Sequence, residues 1–144
     1  MWIVTTFGFF SVVEKPWDRG TPLLTVRART RNDLTRLLKK SGSNAAVIRD
    51  DVADYRFRSR VARDALARLM ADEVRDIDYE NFKDEVKARQ GVKRSSIYMR
   101  VWLALLELQP LRGARPSFWT RDDPFLMDRP SRVRLSEYVT GPTE

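Results

Sequence analysis

From Tyr55 to Val61 the chain alternates without a break, with Tyr55, Phe57, Ser59 and Val61 on one side and Arg56, Arg58 and Arg60 on the other. A period of two is that of a β-strand, whose successive side chains point to opposite faces of a sheet. Burying unpaired guanidinium groups is costly, so this strand predicts a sheet with one face packed and one face open. Leu23 to Arg29 makes the same demand, setting Leu24, Val26 and Ala28 against Thr25, Arg27 and Arg29.

Other segments fit around these two strands. Trp2–Phe7 and Phe9–Glu14 are rich in β-branched and aromatic residues and flank Gly8, so they read as two strands or as one bent at the glycine. The stretch from Lys15 to Pro22 reads as a loop. Thr30 can cap a helix over about 31–40, whose stripe is Leu34, Leu37 and Leu38. A strand is expected over Ala45–Arg49, then a turn at Asp50, Asp51 and Asp54.

A second helix is expected over about 63–75, with Leu66, Leu69, Met70, Val74 and Ile77 at helical spacing. A third, capped by Asp78, spans about 79–90 and closes at Gly91. A fourth, capped by Ser95, spans about 96–108 and carries so much apolar surface that burial is expected. Arg27-x-Arg29 before Leu34–Leu38 echoes Arg58-x-Arg60 before Leu66–Met70, as if a hairpin-helix unit were duplicated.

The predicted fold is therefore α+β. It has a largely antiparallel sheet of four or five strands and helices mainly on one face, in the ferredoxin-like manner. One domain covers residues 1–108, and an extended arm with prolines and the aromatics Phe118, Trp119, Phe125 and Tyr138 covers 109–144.

Composition narrows the chemistry. The 144 residues include neither cysteine nor histidine, which removes disulfides, Cys/His zinc sites, thiol nucleophiles, the Ser-His-Asp triad and the imidazole proton shuttle. No cofactor is expected. Net charge is +7, an attraction for anions. Residues 1–44 hold 8 basic and 3 acidic groups, residues 45–108 hold 13 and 12, so the surplus is concentrated in the first third. The apolar start lacks a basic segment and a cleavage site, and Ile97–Leu108 is too short and too charged to span a membrane. A soluble, cytoplasmic protein is expected.

Three constellations could carry chemistry. Arg27, Arg29, Arg56, Arg58 and Arg60 form an arginine face that could hold phosphates beside stacking aromatics. The same arginines could instead be neutralised by Asp50, Asp51, Asp54 and Glu14, their stems covering the sheet. Asp50, Asp51 and Asp54 could bind Mg²⁺, although clustered aspartates between strands usually bond turn backbone. Tyr79, Asn81, Lys83, Arg89 and Tyr98 could form a polar pocket, but capping and packing are the preferred account of them. Phe7-Gly8-Phe9-Phe10-Ser11-Val12 has the aromatic look of an RNA-recognition strand. It lacks the preceding basic-glycine pair and reads as hairpin packing.

The segments Trp2–Val4, Phe9–Val13, Asp54–Arg58, Tyr79–Lys83 and Tyr98–Trp102 resemble a group of short bacterial proteins. The resemblance covers about residues 1–105, leaves out the arm and implies no activity. The function expected is a non-enzymatic binding or assembly module acting through protein contacts, homodimerisation among them. The alternative is a nucleic-acid-binding module using the arginine face. A metal-dependent enzyme ranks third.

Overall fold

The computed structural model of the chain describes residues 1–108, so the expected C-terminal arm lies outside the described residues. The chain divides into two units, Met1–Leu106 and Glu107–Glu144. Strands β1 (Trp2–Thr5), β2 (Gly8–Val13), β3 (Leu23–Ala28), β4 (Ile48–Arg49) and β5 (Phe57–Ala62) build one sheet in the order β1-β2-β3-β5-β4. Every neighbouring pair is antiparallel. Helices α1 (Arg31–Lys40), α2 (Arg63–Arg75), α3 (Phe82–Gln90) and α4 (Val92–Leu105) complete the α+β fold.

The period-two pattern becomes the two faces of the sheet. Phe10, Val12, Val26, Ala28 and Val61 point to one side, where Leu34, Leu37 and Leu38 of α1 and Leu66 and Leu69 of α2 seal the core. Ser59 shares that side, and its hydroxyl donates to the Ala46 carbonyl at 2.9 Å, which satisfies a buried polar group. Register pins the other side, since Ser11 faces Arg27, Arg27 faces Arg58 and Thr25 faces Arg60 across the strands.

The β1–β2 hairpin turns at Thr6–Phe7, one step before the glycine that sequence suggested as the bend. Among the described residues no non-glycine residue has positive φ, so this two-residue turn is neither of the primed types that suit hairpin twist. Thr5 compensates: its Oγ1 donates to the Gly8 carbonyl at 3.0 Å and accepts from the amides of Phe7 and Gly8. Gly8 is needed for close packing, because a Cβ there would lie 2.5 Å from Phe10 Cζ and 3.0 Å from Asp33 Cβ.

The central strands read β2-β3-β5-β4, a palindrome about the β3–β5 pair, with α1 following β3 and α2 following β5. Arg27 opposite Arg58, the two residues matched by the sequence echo, marks its centre. The arrangement is that of two hairpin-helix units side by side, with β1 added at an edge.

Several expected boundaries move. The strand expected over Ala45–Arg49 shrinks to Ile48–Arg49, and Ala45 and Val47 before it pack against the core. Val74 and Ile77 are exposed, so the α2 stripe stops at Leu69 and half-buried Met70. Asn81, not Asp78, caps α3, its Oδ1 accepting from the Lys83 amide at 2.9 Å. Ser95 lies inside α4, where its hydroxyl donates to the Lys83 carbonyl at 3.2 Å. Gly91, with φ 83°, ends α3 and starts α4 at once. Burial of α4 is partial: Ser95 and Tyr98 are buried, whereas Ile97, Val101 and Leu105 are exposed. No helix among the described residues is long and apolar enough to cross a membrane.

Candidate functional site

The sheet face away from α1 and α2 carries the arginines singled out in the sequence. Its floor is made of small polar residues, Ser11 and Thr25, buried beneath the long side chains above them. Arg27 donates to Ser11 Oγ at 2.7 Å, and its guanidinium lies 4.8 Å from the centre of the Tyr55 ring. Arg29 lies 4.9 Å from the same ring and donates to the Asp54 carbonyl at 3.2 Å. Tyr55 precedes β5, so it escapes the alternation and joins the arginine side instead of the apolar one, stacking on Phe9 with ring centres 6.2 Å apart. Phe9 in turn meets Trp2 edge-on at 5.7 Å. The result is a run of Trp2, Phe9 and Tyr55 with two guanidiniums over its inner end, a cation–π arrangement.

The remaining arginines are divided between pairing and exposure. Arg58 holds Asp50 at 2.8 Å, and Arg49 holds Asp51 at 2.8 Å. Among the described residues no group of three His, Cys, Asp or Glu side chains is placed to hold a metal ion. The Arg56 side chain is exposed and, among the described residues, has no partner, while its carbonyl accepts from the Asp50 amide at 2.8 Å. Arg60 reaches Asp18, with Nε 2.9 Å from Oδ1, and also donates to the Trp17 carbonyl at 2.9 Å.

Sequence reasoning passed over Asp18, which is fully buried. Burial alone would raise its pKa. The Thr25 hydroxyl, the Lys15 amide and the Arg60 guanidinium together outweigh burial and hold the carboxyl below its usual value. Thus Asp18 stays ionised and anchors the loop carrying Trp17 to β3 and β5. The expected neutralisation by Asp50 is present, but Glu14 turns to Arg63, and Asp54 contributes its backbone carbonyl to Arg29 and its carboxylate to the Tyr55 amide.

No protein-family model, no curated protein and no solved structure matches this chain.

Capping, pairing and packing, the roles preferred from sequence over a polar pocket, account for Asn81, Lys83, Arg89, Tyr79 and Tyr98. Asn81 caps α3, Arg89 pairs with Glu85, Lys83 sits 5.8 Å from the Trp102 ring, and Phe82 stacks on Tyr98 and meets Tyr79 at a tilt. A cleft of about 420 Å³ opens elsewhere, lined by Thr30, Arg31, Asp33, Arg36, Gln90 and Arg94 with Asn32. Its floor is Asp33, 1% exposed, bound by both terminal nitrogens of Arg94 at 2.7 and 3.0 Å and by the Phe9 amide at 3.3 Å. Asp33 lies in the first turn of α1. Arg94 lies 61 positions away, and no local pattern joins them.

Proposed function

We propose that the chain is a non-enzymatic binding module that docks a protein partner through the open face of its sheet. The observation behind this reading is the make-up of that face. Trp2 is 69% exposed and Val4 41%, and they adjoin a guanidinium cluster in which Arg27 and Arg29 have no carboxylate partner among the described residues. Trp, Tyr and Arg are the residues on which interface affinity most often rests. The uncompensated positive charge calls for a partner surface bearing carboxylates. It also opposes face-to-face pairing of two copies. The edge strands β1 and β4, with four and two residues, are short enough to discourage edge-to-edge assembly.

The test is a photoreactive benzophenone side chain in place of Trp2, expected to yield one discrete protein adduct in cells. The same group in place of exposed Arg68 on α2 should yield none. Combining the Trp2 probe with Arg27→Glu and Arg29→Glu should abolish the adduct, and its absence from the start would sink the proposal.

The same surplus favours a second reading. Arg27 and Arg29, beside the run of Tyr55, Phe9 and Trp2, could grip the backbone and stack the bases of a single-stranded nucleic acid. Counterion release then requires binding that weakens steeply with salt. No shift with single- or double-stranded DNA or RNA at low salt removes this reading. A cytoplasmic location belongs to the same proposal and agrees with a chain free of cysteine.

A further inference from the structure

We propose that α3 and α4 form a hinged flap that swings off the sheet body as one unit, with the Arg94–Asp33 pair as its latch. The first reason is where the apolar contacts lie. Among the described residues, every member of the main core, and every half-buried hydrophobic packed on it, falls at or before Met70. Val86 and Tyr98, the buried apolar residues of α3 and α4, stand outside that core. The two helices instead hold each other. Phe82 of α3 stacks on Tyr98 of α4 with ring centres 6.0 Å apart, and the Ser95 hydroxyl of α4 donates to the Lys83 carbonyl of α3. Apolar burial is the main force that joins elements, and the core uniting the sheet with α1 and α2 takes nothing from this pair.

The bonds that fasten the pair to the body are polar. Gln90 donates to the Thr6 carbonyl at 2.6 Å, and Arg36 donates to Gln90 Oε1 at 3.3 Å. Both terminal nitrogens of Arg94 hold Asp33, at 2.7 and 3.0 Å. The cleft of about 420 Å³ lies along this seam and is lined by polar residues alone. Water can take the place of each bond, so the net hold of each is modest. A small polar junction of this kind lets the parts it joins move relative to each other. Asp33 sets the form of the motion. A buried carboxylate deprived of its cation is costly, and moving both helices away together brings water to Asp33 as Arg94 leaves it.

The connection to the body permits the swing. α2 ends at Arg75 and α3 starts at Phe82. Between them, the backbone of Asp78, Tyr79 and Glu80 makes no hydrogen bond among the described residues. Asp76, Ile77, Asp78 and Glu80 are exposed. A short, solvated link whose backbone is free to turn is what a hinge requires. Opening bares Asp33 and the Thr6 carbonyl at the β1–β2 turn and leaves the core intact.

Amide hydrogen exchange of the full ¹⁵N-labelled chain, followed in urea below the unfolding transition, reads this motion. The helical amides of α3 and α4 are expected to exchange through one shared opening, faster than those of β3 and β5. Their urea slope should be smaller, because a flap exposes less surface than unfolding does. Val26→Ala, within the core, should speed exchange in β3 and β5 at least about tenfold and leave α3 and α4 unchanged. Arg94→Lys keeps the charge and loses the two-pronged grip. It should speed exchange in α3 and α4 about tenfold, the scale of one hydrogen bond to a charged group. The proposal is overturned if α3 and α4 share the rate and urea slope of β3 and β5, or if Val26→Ala speeds all four elements equally. Separate slopes for α3 and α4 would rule out a single unit, and unchanged exchange in Arg94→Lys would rule out the latch.

Discussion

Asp18 has no solvent contact, yet its pKa is lowered because three donors outweigh the cost of its burial. A lowered folded-state pKa means the folded protein binds fewer protons than the unfolded chain near that pH. The stabilisation is therefore complete above the ordinary value of 3.8 and is lost as pH falls below it through the folded value. Asp18→Asn should cost about 1.5–3 kcal/mol at pH 7, the range for bonds to a charged group, as read by urea denaturation. It should also flatten the fall in stability below about pH 4. Among the described residues, Asp33 is the other buried carboxylate. Arg94→Ala would strand it without its cation, and removing one member of such a pair costs about 3–5 kcal/mol. Urea denaturation at pH 7 measures that too. A loss under 1 kcal/mol would mean that Asp33 is not held as described.

At the scale of elements, α1 was fully legible, α2 was legible in its bounds but not in its whole stripe, and α3 and α4 were legible only in part. Thr30 starts α1 as its sequence announces, and the ten-residue span of α1 agrees end to end with the expectation. Before α3, Asp78 and Asn81 are both capping residues, and only the backbone path selects Asn81. Asn81→Ala should then cost about 1 kcal/mol, whereas Asp78→Ala should stay within about 0.5 kcal/mol, as surface substitutions do. Amide exchange across α3 separates the two. The β1–β2 hairpin depends on a missing side chain: Gly8→Ala drives a methyl into the Phe10 ring, which is wholly buried and cannot retreat. A cost of about 1–3 kcal/mol is expected, typical of overpacking, visible as a lower Tm.

For the whole molecule, the core lies between one sheet face and two helices, and α4 stands at its margin. Ile97, Val101 and Leu105, four residues apart, share an exposed side of α4. Val101→Lys with Leu105→Lys should change stability by no more than about 0.5 kcal/mol per site. A large loss in urea denaturation would show that this side is covered. Amphipathic counting expected the opposite, because it registers how apolar a helix is and not whether a neighbour stands against it. The arginine face shows the same limit. Alternation correctly put Arg58 and Arg60 opposite the core, but Tyr55 crossed to join them as soon as the strand ended.

The sequence by itself determined the α+β class, the two faces of β3 and β5, the first two helices and the absence of thiol and imidazole chemistry. These follow from periodicity and residue type, which act within a few positions. Tertiary structure alone decided that Arg60 meets Asp18 across 42 positions and that Arg94 meets Asp33 across 61. It also decided that Arg27 faces Arg58 at the centre of the four palindromic strands β2-β3-β5-β4. Pairings of that kind depend on strand register and helix docking, which collect contributions from the entire core. No short stretch of residues contains them.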